Sequence, residues 1–207
     1  MASALLPVVT LLLAGYALRP ADAVGRWRLA AVRAAVAVGA YAIVGAEVLS
    51  AAHAIARGPV VGLWTTGVVA AATVTALRHR RDRAAPHGAE GGDSWYGRVR
   101  GWLVAGRTAA VAAGRRASVV EVALAAAVVV LVAAELVVAL VSPPNNYDSN
   151  YYHLPKVEHW VAQHSLALYP TPMRPQVVLA PGAEYLLLHL RLLTGGDRAY
   201  NLVQWAA

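Results

Sequence analysis

The chain has 207 residues, is 58% hydrophobic and 14% charged, and has a mean hydropathy of +0.50. Soluble domains carry about 25% charged residues, so this composition argues against one. The absence of cysteine excludes a disulfide framework and a thiolate metal site. The net charge of +7 clusters in loops between apolar runs, which points to a membrane and not to nucleic acid.

Four apolar stretches are long enough, or nearly so, to cross a bilayer core of roughly 20 helical residues. They are Met1–Leu18, Leu29–Ile55, Pro59–Leu77 and Val119–Val141. No basic residue precedes the first and no clean cleavage site follows it before Arg19, so it reads as a span and not as a signal peptide. Residues 1–77 are thus expected to hold three transmembrane helices. Small residues such as Gly39 and Gly45 suit close packing of these helices.

The loops orient the spans. Residues 19–28 hold Arg19, Arg26 and Arg28, and residues 78–118 hold nine arginines. The connection near Gly58 holds only Arg57. Loops rich in Lys and Arg stay cytoplasmic, so the N-terminus is expected outside and Val119–Val141 is expected to run outward. The start of loop 78–118, RHRRDRAAPHGAEGGDS, has the composition of a disordered segment. Trp95, Tyr96, Val99, Trp102 and Leu103 recur at helical spacing, as in a helix on the inner leaflet or a solvated linker.

Glu47, Glu121 and Glu135 fall inside apolar runs, where ionisable groups are costly and often functional. Glu121 lies near the inner boundary, within reach of water. For Glu47 and Glu135, a hydrogen bond between helices is favoured over a cavity lining.

After the fourth run, Pro143 and Pro144 end the helix and NNYDSNYYHLPKVEHW follows. Leu154, Val157 and Val161 share one helical face, and Tyr152, Lys156, His159 and Gln163 another. Ser149 or Asn150 can cap this helix, and Pro155 is tolerated in its first turn. Residues 165–182 are proline-rich and irregular. A second short helix, Ala183–Leu193, ends at Gly195 and Gly196, and Asp197 is placed to cap a further apolar start. That last pattern breaks off at Ala207, which reads as the N-terminal part of a longer protein. His153, His159 and His164 lack the i, i+4 spacing that puts two ligands on one helix face, so no metal site is expected. No phosphate-binding glycine loop or dinucleotide fingerprint is present, so neither a nucleotide-sugar donor nor a cofactor is indicated.

An outward span, then an acidic residue, two amphipathic segments and a new apolar start resembles the GT-C superfamily of integral-membrane glycosyltransferases. The wording YDSNYYHLPKVEHWVAQHS, YPT, PGAEYLLLHL and GGDRAYNLVQW is similar to bacterial members near glycosyltransferase family 39, over residues 119–207. The resemblance implies an all-α, polytopic protein of the bacterial inner membrane, with two amphipathic interface helices in an external loop. It implies transfer of a sugar, with inversion, from a polyprenyl-phosphate donor to a lipid, glycan or protein acceptor outside the cytoplasm.

On that resemblance Asp148 is the expected catalytic base. Alone in NNYDSN it reads more readily as a turn aspartate, and the family pattern reverses that preference. Lys156 and Arg174 are the candidate phosphate binders, with snorkelling to headgroups the plainer role for Lys156. His153 is a candidate substrate contact. Many relatives carry a second acid beside the first. Here Ser149 stands there, so either the second acid is dispensable or Glu184 supplies it. Glu158 is expected to face solvent or to cap a neighbour. The competing readings are a transporter or flippase-like protein, favoured by the intramembrane glutamates, and a non-catalytic membrane scaffold.

Overall fold

The computed structural model describes residues 2–20, 26–84, 104 and 117–206. Among these the secondary structure is helical throughout. In chain order a 3₁₀ turn (Ala2–Ala4) leads into α1 (Leu5–Ala17), followed by α2 (Arg26–Ala51), α3 (Arg57–Ala84) and α4 (Val119–Val141). A π-helical turn (Ser149–His153) runs into α5 (Leu154–Ala162), and α6 (Pro175–Val178), α7 (Gly182–Thr194) and α8 (Asn201–Ala206) follow.

α2, α3 and α4 are long and apolar enough to cross a membrane, whereas α1 is shorter. The first predicted span thus ends at Ala17, with 13 α-helical residues after the 3₁₀ turn. α3 continues beyond Leu77, so the arginine-rich residues 78–84 are helical and not the start of a disordered loop. The suggested inner-leaflet helix around residues 95–103 lies outside the described residues.

Two compact units divide the chain: Met1–Arg83 with Val138–Ala207, and Ala84–Val137. The second unit holds most of α4. Its start is a capping box: the Ser118 N–H donates to Glu121 Oε2 (2.7 Å) and the Glu121 N–H to Ser118 Oγ (3.3 Å). Glu121 therefore serves the helix start.

In the first unit, α1 and α3 run alongside each other. Thr75 donates to the Leu13 carbonyl at 3.3 Å, and Arg78 donates to that of Ala17. α2 lies between them in sequence, and Gly45 on α2 and Gly67 on α3 allow close approach. A Cβ at Gly45 would stand 2.5 Å from Leu63 Cδ2, and one at Gly67 would stand 3.0 Å from Tyr41 Cε1. Tyr41, on α2, satisfies its hydroxyl on α3, where Thr66 Oγ1 lies at 2.8 Å.

Residues 154–200 pack on α2 and α3 through one apolar core. Ala42, Ala46, Ile55 and Trp64 meet Val157, Trp160, Leu188 and Leu193. The turn between α2 and α3 is clasped by the turn after α5. The Ile55 N–H donates to the His164 carbonyl (3.2 Å), His164 Nδ1 meets the Ile55 carbonyl (2.9 Å), and the Leu166 N–H donates to Ser50 Oγ (2.8 Å).

α7 keeps antiparallel step with α2. Tyr185 donates to Glu47, and one turn further on His189 reaches the Ala42 carbonyl. Glu47 thus makes the expected hydrogen bond between helices. The bond also holds the Tyr185 phenol up at about 12, after the larger effect of burial. Gly195 ends α7 with φ 79°, a left-handed residue that favours glycine. Asp197 does not start the next helix directly: a turn intervenes, and α8 begins at Asn201.

His189 was not singled out by sequence, although it sits between Leu188 and Leu190 on the buried side of α7. Its Nδ1 accepts from the Trp64 indole (3.2 Å), which fixes Nε2 as the donor to the Ala42 carbonyl (3.1 Å). Burial lowers its pKa below the ordinary 6.5. The folded state therefore prefers the neutral ring. That contribution to stability is complete above about pH 6.5 and is lost as pH falls toward the depressed folded value. His189→Gln can keep one acceptor and one donor without titrating, and its detergent-solubilised melting temperature should fall less between pH 7 and 5 than that of the wild type. His189→Leu should cost about 1–3 kcal/mol for each polar group left unpaired. Equal acid sensitivity in wild type and His189→Gln would discard this account.

Candidate functional site

Asn146 organises the start of the segment that follows α4. Its Oδ1 accepts the Ser149 N–H at 2.7 Å. This is the role that sequence gave to Ser149 or Asn150 as caps, and to Asp148 as a turn residue. With Asn146 there, the Asp148 carboxylate has no hydrogen bond or ion pair among the described residues, and it is exposed. It opens into a cleft of about 620 Å³. Asn146, Tyr147, Ser149 and His153 line one side, and Leu187, Tyr200, Asn201 and Gln204 contribute the other. The turn beneath is π-helical, a geometry frequent at functional sites.

Behind His153 lies a buried cluster. Glu184, in the first turn of α7, is 1% exposed, and Lys156, on α5, is 3% exposed. Lys156 Nζ stands 3.1 Å from Glu184 Oε1 and donates to the Leu179 carbonyl at 2.8 Å. His153 Nδ1 stands 3.2 Å from the same Oε1. These are close contacts, and among the described residues neither Glu184 oxygen nor His153 Nδ1 has a well-directed hydrogen bond.

The amphipathic pattern put Lys156 on a wet face with Tyr152, His159 and Gln163. Instead Lys156 is turned inward with Val157 and Trp160, because Glu184 supplies a buried counter-charge. It neither snorkels nor lines the cleft. Tyr152 registers both acids. Its phenol is raised above the ordinary range by desolvation, then by Asp148, then by Glu184.

The structure thus gathers Asp148 and His153 in the cleft, with Glu184 and Lys156 behind. Arg174 stands apart. It is exposed at the N-terminal end of α6 and is not among the residues lining the cleft. The remaining polar candidates are engaged elsewhere. Glu158 takes a two-pronged contact from Arg191 (2.6 and 3.2 Å), linking α5 to α7, and His159 stacks on Tyr169. Glu135 lies exposed on α4. No three His, Asp or Glu side chains converge to hold a metal among the described residues.

A free carboxylate can accept a proton from a bound hydroxyl, and the amide and hydroxyl side chains around it can orient a polyol. No family model, curated protein or solved structure matches the chain.

Proposed function

We propose that this chain belongs to a membrane glycosyltransferase of the GT-C type, which moves a sugar from a polyprenyl-phosphate donor to an acceptor outside the cytoplasm. The observation that carries the proposal is the Asp148 carboxylate, which has no hydrogen bond or ion pair among the described residues and stands at a cleft a few residues beyond an apolar helix. Asp148 takes the proton of the acceptor hydroxyl as that oxygen attacks the anomeric carbon. The bond from that carbon to the phosphate oxygen breaks, and the polyprenyl phosphate leaves with the electron pair. Inversion follows from attack opposite the leaving group. The main attraction of a transporter reading, a charged Glu47 in search of a role, is weakened because Glu47 is bonded to Tyr185.

The proposed facing rests on the arginine-rich loops and on the clasp that sets the 50–55 turn beside the 164–166 turn. A chain without cysteine makes the test clean. Single cysteines at the exposed positions 168 and 53 should react with an impermeant thiol reagent added outside intact cells, and a cysteine at 80 should react only after lysis. In the same membranes the full-length protein should transfer sugar from a polyprenyl-phosphate donor and not from a nucleotide sugar. Protection of position 168 in intact cells would overturn the facing, and transfer from a nucleotide sugar alone would overturn the donor.

A further inference from the structure

The reaction leaves a phosphate that needs a positive partner. Among the described residues that line the cleft, His153 is the one whose side chain can carry positive charge. Lys156 is buried behind it and Arg174 lies outside it. The His153 ring is 30% exposed, yet its Nδ1 is buried against Glu184. The edge open to the cleft is therefore the Nε2 edge. The ring is further confined by Tyr152, whose centroid lies 4.0 Å away.

Glu184 is fixed in turn. It sits in the first turn of α7 and contacts a lysine that is itself anchored to the Leu179 carbonyl. A buried carboxylate facing one imidazole nitrogen holds that edge of the ring inward and leaves the other nitrogen to the cleft. Paired one to one, Lys156 and Glu184 cancel. A protonated His153 then leaves the cluster with one net positive charge, displayed at the cleft wall.

We infer that His153 Nε2 is the phosphate-binding group of this cleft and that Glu184 is its positioning residue, acting through His153 and not on substrate. The inference depends on the glycosyltransferase reading only for the carrier on which the phosphate arrives. The shared chemistry is a phosphate anion, whether lipid-borne or free.

The test uses the full chain in nanodiscs, labelled with ¹⁵N-histidine, with polyprenyl phosphate and inorganic phosphate as separate probes. Both probes should move the His153 Nε2 resonance. Glu184→Gln should shift the ring resonances before any ligand is added, and it should weaken the response to phosphate about tenfold, the scale of one charge-assisted hydrogen bond. If Glu184→Gln fails to fold, the double variant Lys156→Met with Glu184→Gln removes the pair without stranding a buried charge and should show the same loss. A response to inorganic phosphate without one to polyprenyl phosphate supports the anion site and removes the lipid donor. No response at His153 to either probe overturns the inference. So does a folded Glu184 variant whose His153 resonances and phosphate response match the wild type.

Discussion

Asp148→Asn is expected to lower sugar transfer by the full-length protein about a hundredfold or more, the scale of a lost general base, with abundance and membrane insertion unchanged. The expectation rests on what Asp148 does not do. A turn aspartate would accept a nearby backbone N–H, and asparagine would replace it without loss. Here Asn146 already accepts the Ser149 N–H, and among the described residues the Asp148 carboxylate at the cleft has no hydrogen bond or ion pair. An amide of the same shape cannot take a proton from an acceptor hydroxyl. Asp148→Glu should recover little, because the longer arm displaces the base and small misplacements in a reacting pair are costly. The companion Asn146→Ala removes the bond that shapes the turn, so it should reduce stability by about 1 kcal/mol, and it should cost less transfer than Asp148→Asn because the carboxylate remains. Transfer and protein abundance measured together separate the two residues. Near-normal activity in Asp148→Asn would end the catalytic assignment.

Much of the architecture was legible because bilayer-length apolar runs and glycine stops are local signals. Val119–Val141 appears with the predicted bounds, and α7 extends the predicted Ala183–Leu193 by one residue at each end before the left-handed Gly195. What escaped the sequence depends on partners distant along the chain. Lys156 follows the polar face of its own helix, and nothing within that helix announces a buried counter-charge on α7. His189 looked like an interruption in a leucine-rich stretch because its partners, Trp64 and Ala42, lie on other helices. Arg174 lies in a proline-rich segment, a composition that says where a backbone turns but not which way a side chain faces. The pairing of Asp148 with a nearby second acid was half legible. Glu184 does come close to the site, but α7 buries it and places His153 between it and the cleft.

The second large effect should come from that burial. Lys156→Ala or Glu184→Ala, each alone, is expected to destabilise the protein by about 3–5 kcal/mol, because each strands an opposite charge in a site almost closed to water. Removing both charges is a different experiment. Lys156→Met with Glu184→Leu fills similar volume with apolar side chains, and it avoids the cost of desolvating two ions, which mutual attraction only partly offsets. The double variant should therefore lie within about 1.5 kcal/mol of the wild type, the usual cost of a volume-conserving core exchange. Function should not follow stability. The double variant keeps its fold but has no carboxylate to hold His153, so phosphate binding should remain impaired. Stability from denaturant titration in detergent, set beside phosphate affinity, gives a double-mutant cycle in both quantities. Single variants as stable as the wild type would mean that the surviving group sheds its charge by titration or reaches water, and the buried ion pair would then have no part in holding α5 against α7.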